Sequence, residues 1–236
     1  MKLKIGYILL LVTIVITAHA NTVSNPGKKI HFIQKLEQSE KVKIAALGTS
    51  LTGTWYYVMQ DWLKEAYSDQ CTFYDFGVSG SASSCPPGKS GLDQVKKAAS
   101  YHPDVVFIEF AVNDAYIPYH ITVEESRKNL ESIIDTMLES NPDIEIILQT
   151  MNLVIDVPEM EKAHSTNRAE LPEYLKMYRK VAKERKLMLV DHYPNWKRYM
   201  KKEGRDAYRE IVPDGVHPTA EGYRRILIPE LKRVSQ

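Results

Sequence analysis

The chain runs to 236 residues, of which 44% are hydrophobic, with 31 basic against 30 acidic side chains and a formal charge of +1. A length of this order accommodates one domain with a sizeable core. A charge so near zero excludes the electrostatic footprint of a protein built to bind nucleic acid or an anionic membrane surface.

The first 20 residues read as a removable leader. Lys2 and Lys4 form a basic start, residues 5–17 an apolar core, and Ala18, His19 and Ala20 a small-x-small cleavage pattern. About 13 apolar-rich residues are short for a membrane span of roughly 20. The pattern predicts a secreted or periplasmic protein cleaved after Ala20, with no stable membrane insertion afterwards. Cleavage removes two lysines and no acid, taking the formal charge from +1 to −1 and leaving 216 residues (236 less 20). Residues 21–40 are polar and hold Pro26, as a linker or loose first turn does, and the domain proper is expected over 41–236.

From Val42 onward, short apolar runs alternate with helical spacing. Residues 42–47 are mostly apolar and stop at Gly48, as a strand buried on both faces of a parallel sheet does. Over 54–67, Trp55, Val58, Met59, Trp62, Leu63 and Ala66 share one helical face. The GTSLT stretch at 48–52 is therefore a strand-to-helix crossing at the carboxyl edge of a sheet, where open α/β folds place their ligand sites. A second strand is predicted over 72–76, a helix over 92–100 and a third strand over 104–110. The clearest helix is 122–140, opened by a capping box of Thr122 and Glu125. A fourth strand (144–149), a helix with Pro172 in its first turn (171–186), a fifth strand (187–190) and a closing helix (219–234) complete the order. Such alternation predicts a parallel sheet covered by helices on both faces. Residues 152–170 form a long connection, of the kind that often carries function.

Four short motifs fall where these strands end. Ser50 in GTSLT is placed to act as a nucleophile if a base and oxyanion donors arrive from elsewhere. Asp214-Gly215-Val216-His217 follows the fifth strand, and its Asp can fix the tautomer of its His as a general base requires. On its own, Asp-x-x-His is equally a loop Asp capping the next helix. DFGVSG at 75–80 carries glycines that let a backbone amide point into a site, and AVND at 111–114 offers the side-chain amide of Asn113 as an oxyanion donor. Each alone also reads as an ordinary turn.

Together, in this order over residues 43–218, the four motifs resemble the blocks of the SGNH hydrolases, or GDSL esterases and lipases. The resemblance implies a three-layer α/β/α sandwich with five parallel strands in the flavodoxin-like order 2-1-3-4-5. It implies Ser50, Asp214 and His217 as catalytic residues, with the amides of Ser50 and Gly80 and the side chain of Asn113 as the oxyanion hole. Two departures stand out. Thr49 replaces the usual Asp beside the serine, which is expected to loosen the turn, and Ala111 replaces a Gly, so its backbone must avoid positive φ or carry strain.

A P-loop reading fails because Thr54 and Trp55 stand where Lys and Ser or Thr are needed, and an α/β-hydrolase elbow fails because Thr52 replaces its second glycine. No HExxH or CxxC spacing occurs, so neither metal nor cofactor is expected. With export, the resemblance implies hydrolysis of a small-molecule or glycan ester, with O-acetyl groups on carbohydrate foremost. A lipid-ester or thioester hydrolase, an acyltransferase and a non-catalytic glycan-binding protein are the alternatives. Trp55, Tyr56, Tyr57, Tyr116, Tyr119 and Trp196 are open either to sugar stacking or to the core. His164, Asn167 and Arg168 on the long connection are open either to substrate contact or to solvent. Export would permit a disulfide between Cys71 and Cys85, the only two cysteines, which otherwise remain free thiols.

Overall fold

The computed structural model describes residues 30–236. The leader, its cleavage site and residues 21–29 lie outside the described residues. Strands β1 (Val42–Gly48), β2 (Cys71–Asp75), β3 (Val105–Glu109), β4 (Glu145–Gln149) and β5 (Met188–Val190) form one parallel sheet in the order β2-β1-β3-β4-β5. This is the predicted order. The two central strands explain themselves. Every residue of β3 is buried, and so is every residue of β1 except Lys43, which is why both read as near-continuous apolar runs. Register sets Ala46 beside Asp75 and Gly48 beside Glu109, so the loops leaving β1, β2 and β3 open at one edge.

Helices cover both faces. α2 (Thr52–Tyr67) packs against the closing helix α8 (Ala220–Ser235). On the other face α3 (Gly91–Ala99), α5 (Val123–Ser140) and α6 (Leu171–Glu184) pack in series. The Thr122/Glu125 capping box at the start of α5 is formed in both directions. Among the described residues no helix is long and apolar enough to cross a membrane.

Three features correct or complete the sequence reading. Residues 31–37, expected within the linker, form α1 (His31–Glu37), which buries Phe32, Ile33 and Leu36. Phe32 meets Phe107 of β3 with ring centroids 6.1 Å apart, and Trp55 of α2 meets the same ring at 5.7 Å. The first turn of α1 is capped from a distance: the amides of His31 and Phe32 donate to the Glu145 carboxylate at 2.9 and 2.8 Å. Second, α7 (Tyr193–Ile211) occupies a stretch left unassigned between the fifth strand and the DGVH motif. Third, Cys71 and Cys85 are both free. Cys71 opens β2 at the amino edge, whereas Cys85 lies in the loop beyond the strand's carboxyl end. A five-residue strand spans about 13 Å, and a disulfide needs Cα atoms within about 7 Å.

Candidate active site

The site is built at the carboxyl edge, where β1 delivers Ser50. The turn that presents it is tied down from beneath by Glu109, the last residue of β3. One oxygen of this carboxyl accepts from the Thr49 amide at 2.9 Å, the Thr49 hydroxyl at 3.0 Å and the Thr52 hydroxyl at 2.8 Å. Thr49 therefore does not loosen the turn; its hydroxyl also accepts from the Leu51 amide at 3.2 Å. Gly48 has to be glycine here, because a Cβ would sit 2.3 Å from the Thr52 hydroxyl and 2.5 Å from the Glu109 carboxyl. Burial pushes the Glu109 carboxyl up to about 7, against the lowering effect of the Thr49 and Thr52 hydrogen bonds. Gln94 of α3 holds Gly48 from the other side, accepting from its amide at 2.9 Å and donating to its carbonyl at 3.0 Å. The same Gln94 amide donates to the Ser81 hydroxyl at 3.0 Å, so one side chain links the serine turn to the loop after β2.

Ser50, His217 and Asp214 form one hydrogen-bonded chain. Ser50 Oγ lies 2.8 Å from His217 Nε2, and His217 Nδ1 lies 2.6 Å from Asp214 Oδ2. The second carboxylate oxygen, Oδ1, accepts from the amides of Val216 at 2.9 Å and His217 at 2.7 Å. Burial opposes the Asp214 charge, but the hydrogen bonds from the His217 amide, the His217 ring and the Val216 amide outweigh it and hold the carboxyl below its ordinary value. An ionised carboxylate at Nδ1 places the ring proton there and leaves Nε2 as an acceptor toward Ser50. The turn is anchored to the long connection, where Ile155 donates its amide to the Gly215 carbonyl at 2.9 Å and Asn152 donates its side-chain amide to the Val216 carbonyl at 2.8 Å. The chain lies open to solvent: the His217 side chain is 46% exposed and Asp214 33%.

On the other side of the site Ser81, Asn113 and Asp114 are buried, and Gly80 is half-buried. Gly80 takes a left-handed conformation (φ +75°), and its carbonyl accepts from the Tyr119 hydroxyl at 2.7 Å. Among the described residues, the amides of Ser50 and Gly80 donate to no protein acceptor, so both are free for a ligand oxygen. Asn113 sits in α4 (Ala111–Asp114), a single helical turn after β3, and Ala111 meets the family's missing glycine without positive φ. The Asn113 side-chain amide donates to the Ser81 carbonyl at 2.8 Å, which occupies one of its two hydrogens. Asp114, next along, accepts from the Ser83 amide at 2.7 Å and the Ser126 hydroxyl at 2.5 Å. Burial raises its carboxyl to about 6, against those two hydrogen bonds.

All five predicted site residues come together at this edge. Trp55, Tyr56 and Trp196 are core side chains with no face left for a sugar, and Tyr57 is exposed on α2. Tyr116 and Tyr119 flank the side formed by Gly80 and Asn113, with ring centroids 5.2 Å apart and Ile117 exposed between them in sequence. On the long connection, Asn167 is half-buried, whereas Arg168 is buried beside Asn113. His164 is half-buried and feels the charges of Arg168, Asp214 and His217; burial and the Arg168 cation lower its pKa. Sequence reasoning passed over Glu109 and Gln94, for neither carries a motif signal. Among the described residues no group of three His, Cys, Asp or Glu side chains is placed to hold a metal ion.

A five-stranded 2-1-3-4-5 sheet with a Ser-His-Asp chain at its carboxyl edge defines an SGNH-type α/β/α fold. The sequence model of the GDSL-like lipase/acylhydrolase family matches residues 44–225. The chain belongs to this family and is, with it, an ester-hydrolysing enzyme. No curated protein matches the sequence significantly. Solved structures do match in fold. An acetyl xylan esterase is 19% identical with a TM-score of 0.63, covering 83% of this chain and 100% of its own. A catalytic mutant of an acetylxylan esterase from Geobacillus stearothermophilus is 20% identical with a TM-score of 0.61, covering 81% of this chain and 94% of its own. A lipase/acylhydrolase from Enterococcus faecalis is 20% identical with a TM-score of 0.61, covering 82% of this chain and 95% of its own.

Proposed function

We propose that this protein is an exported serine esterase that removes O-acetyl groups from carbohydrate, using Ser50, His217 and Asp214 as its catalytic residues. The observation that carries the mechanism is the continuous chain from Ser50 Oγ to His217 Nε2 at 2.8 Å and from Nδ1 to Asp214 at 2.6 Å. Ser50 Oγ attacks the ester carbonyl carbon while His217 Nε2 takes the hydroxyl proton. The carbonyl oxygen becomes an oxyanion held by the amides of Ser50 and Gly80 and the free hydrogen of the Asn113 side chain. As the tetrahedral intermediate collapses, the carbon–oxygen bond to the alcohol breaks and the departing oxygen takes the proton from His217. Water, deprotonated by the same imidazole, then attacks the acyl carbonyl carbon; the bond to Ser50 Oγ breaks, Oγ takes the proton back from His217, and the acid leaves. Asp214 keeps the imidazole in the working tautomer and stabilises its cation.

The substrate class rests on three supports. The Ser50–His217 pair is open rather than roofed by an apolar lid, which suits a polymer. Tyr116 and Tyr119 stand beside the oxyanion loops, and two solved structures of similar fold are named acetyl xylan esterases. The leader pattern at 1–20 supports export. The test is a panel of acetylated oligosaccharides against phenyl esters of increasing acyl length. Acetate release from the glycans, with turnover falling steeply beyond short acyl chains, is expected and should vanish in Ser50→Ala. Preference for long acyl chains would replace the carbohydrate reading with a lipid ester. A burst without turnover unless a sugar acceptor is present would make the enzyme a transferase.

A further inference from the structure

Arg168 is the anomaly of the site. Its residue is only 8% exposed, yet among the described residues its guanidinium is hydrogen-bonded to carbonyl and amide oxygens and paired with no carboxylate. A buried cation is costly unless paired, and surface docking of a loop does not require one. The guanidinium donates through Nε to the Val112 carbonyl at 2.7 Å, through Nη1 to the His164 carbonyl at 3.3 Å and through Nη2 to Asn113 Oδ1 at 3.4 Å. The Tyr116 ring lies under it, 4.5 Å from the guanidinium carbon to the ring centre. Every group around the cation is therefore a neutral acceptor or a π face, and one of them is the carbonyl end of the proposed oxyanion donor.

The arrangement determines which way Asn113 points. A guanidinium cannot accept a hydrogen bond and a carbonyl cannot donate one. With Arg168 on one side and the Ser81 carbonyl on the other, only one orientation of the Asn113 amide satisfies both. Its oxygen faces the cation and its NH2 faces the loop after β2. At 3.4 Å the Arg168 contact is long for a strong hydrogen bond, so it acts chiefly as a charge on a dipole. That charge draws electron density toward Oδ1 and makes the remaining N–H a better donor.

We propose that Arg168 is a positioning residue of the oxyanion hole, holding the Asn113 amide donor-side-in and polarising it from behind. This rests on the esterase reading above, in which Asn113 receives the oxyanion. The long connection thus serves the site by returning one cation to the back of α4.

The test is a double-mutant cycle on a chromogenic acetate, with Arg168→Met, Asn113→Ala and the double variant, each checked for folding by thermal unfolding. Arg168→Met is expected to lower kcat about 10- to 100-fold, less than outright removal of a donor, with KM within about threefold. In the Asn113→Ala background the same change should cost less than about threefold, since there is no amide left to orient. Losses that multiply in the double variant, or a folded Arg168→Met with wild-type kcat, would overturn the proposal. Should Arg168→Met not fold, Arg168→Lys takes its place in the cycle; it keeps the charge but not the fork, and the same rule of non-additivity decides. If Asn113→Ala alone turned over esters at the wild-type rate, the oxyanion assignment itself would fail, which is a separate result from failure of the Arg168 coupling.

Discussion

The two sides of the proposed active site are built on opposite plans. On the acid–base side, Asp214 binds the amides of Val216 and His217 and the His217 ring, two or three residues away in sequence. On the oxyanion side, the supports come from far along the chain: Tyr119 to Gly80 spans 39 residues, Asn113 to Ser81 spans 32, and Arg168 to Val112 spans 56. The first side is half open to water, whereas Ser81, Asn113 and Arg168 on the second are buried. The difference follows from what each must do. A base needs the right tautomer, which one local carboxylate provides. Donors that meet a developing charge must already be aimed before the charge forms, which requires neighbours that exclude water and do not move.

Substitutions should break the two sides differently. The largest effect is expected at the junction: His217→Ala should be about as damaging as Ser50→Ala, and the two together little worse than either, because they act as one unit. Steady-state kinetics of the three variants tests this, and additive losses would separate the residues. Asp214→Asn should come next. It leaves the turn largely intact but disturbs the tautomer, and a loss of about 10⁴ in kcat with little change in KM is expected. A loss confined to KM would show that Asp214 serves the loop rather than the imidazole.

Asn113→Ala should cost less, about 10²–10³ in kcat, while the unfolding midpoint measures any damage to the buried side. The smallest effect belongs beneath the serine turn. Glu109 titrates near 7 when folded against 4.5 for an ordinary Glu, so between these values the folded protein holds a proton that the unfolded chain has released. Stability linked to Glu109 is thus fully present below about pH 4.5 and is lost as pH rises through about 7. Glu109→Gln keeps an acceptor for Thr49 and Thr52 but cannot ionise. Its unfolding free energy should vary less over that window than the wild type's, as denaturant titrations at several pH values would show. Asp214 has the opposite sign: its depressed carboxyl contributes above the ordinary Asp range, and that contribution disappears as pH falls through the folded value.

Much of this architecture was legible in the chain itself, for identifiable reasons. Strands β1 and β3 are continuous apolar runs because both their faces are covered, and α5 announces its start through Thr122 and Glu125. Helix α7 was not legible: only Trp196, Tyr208 and Ile211 are buried along it, and Gly204 breaks its dihedrals at φ +89°. Helix α1 has seven residues and no local cap, because its cap is Glu145, 113 and 114 residues away.

By itself, the sequence determined the alternation of strands and helices and the four motifs that close the strands, since each is written in contiguous residues whose spacing dictates a turn or a period. The motifs hold Ser50, Gly80, Asn113, Asp214 and His217, and it is the resemblance of all four together to one family that implies their roles. Only the tertiary structure decided what stands behind them. Glu109 reaches Thr49 across 60 residues, Gln94 reaches Gly48 across 46, and Arg168 reaches Asn113 across 55. A buried polar group must find a partner, and that partner is whichever side chain the packing brings within about 3 Å. No local pattern records that choice, because it is made by the register of β1 on β3 and by the path of a long connection that has no periodicity to read.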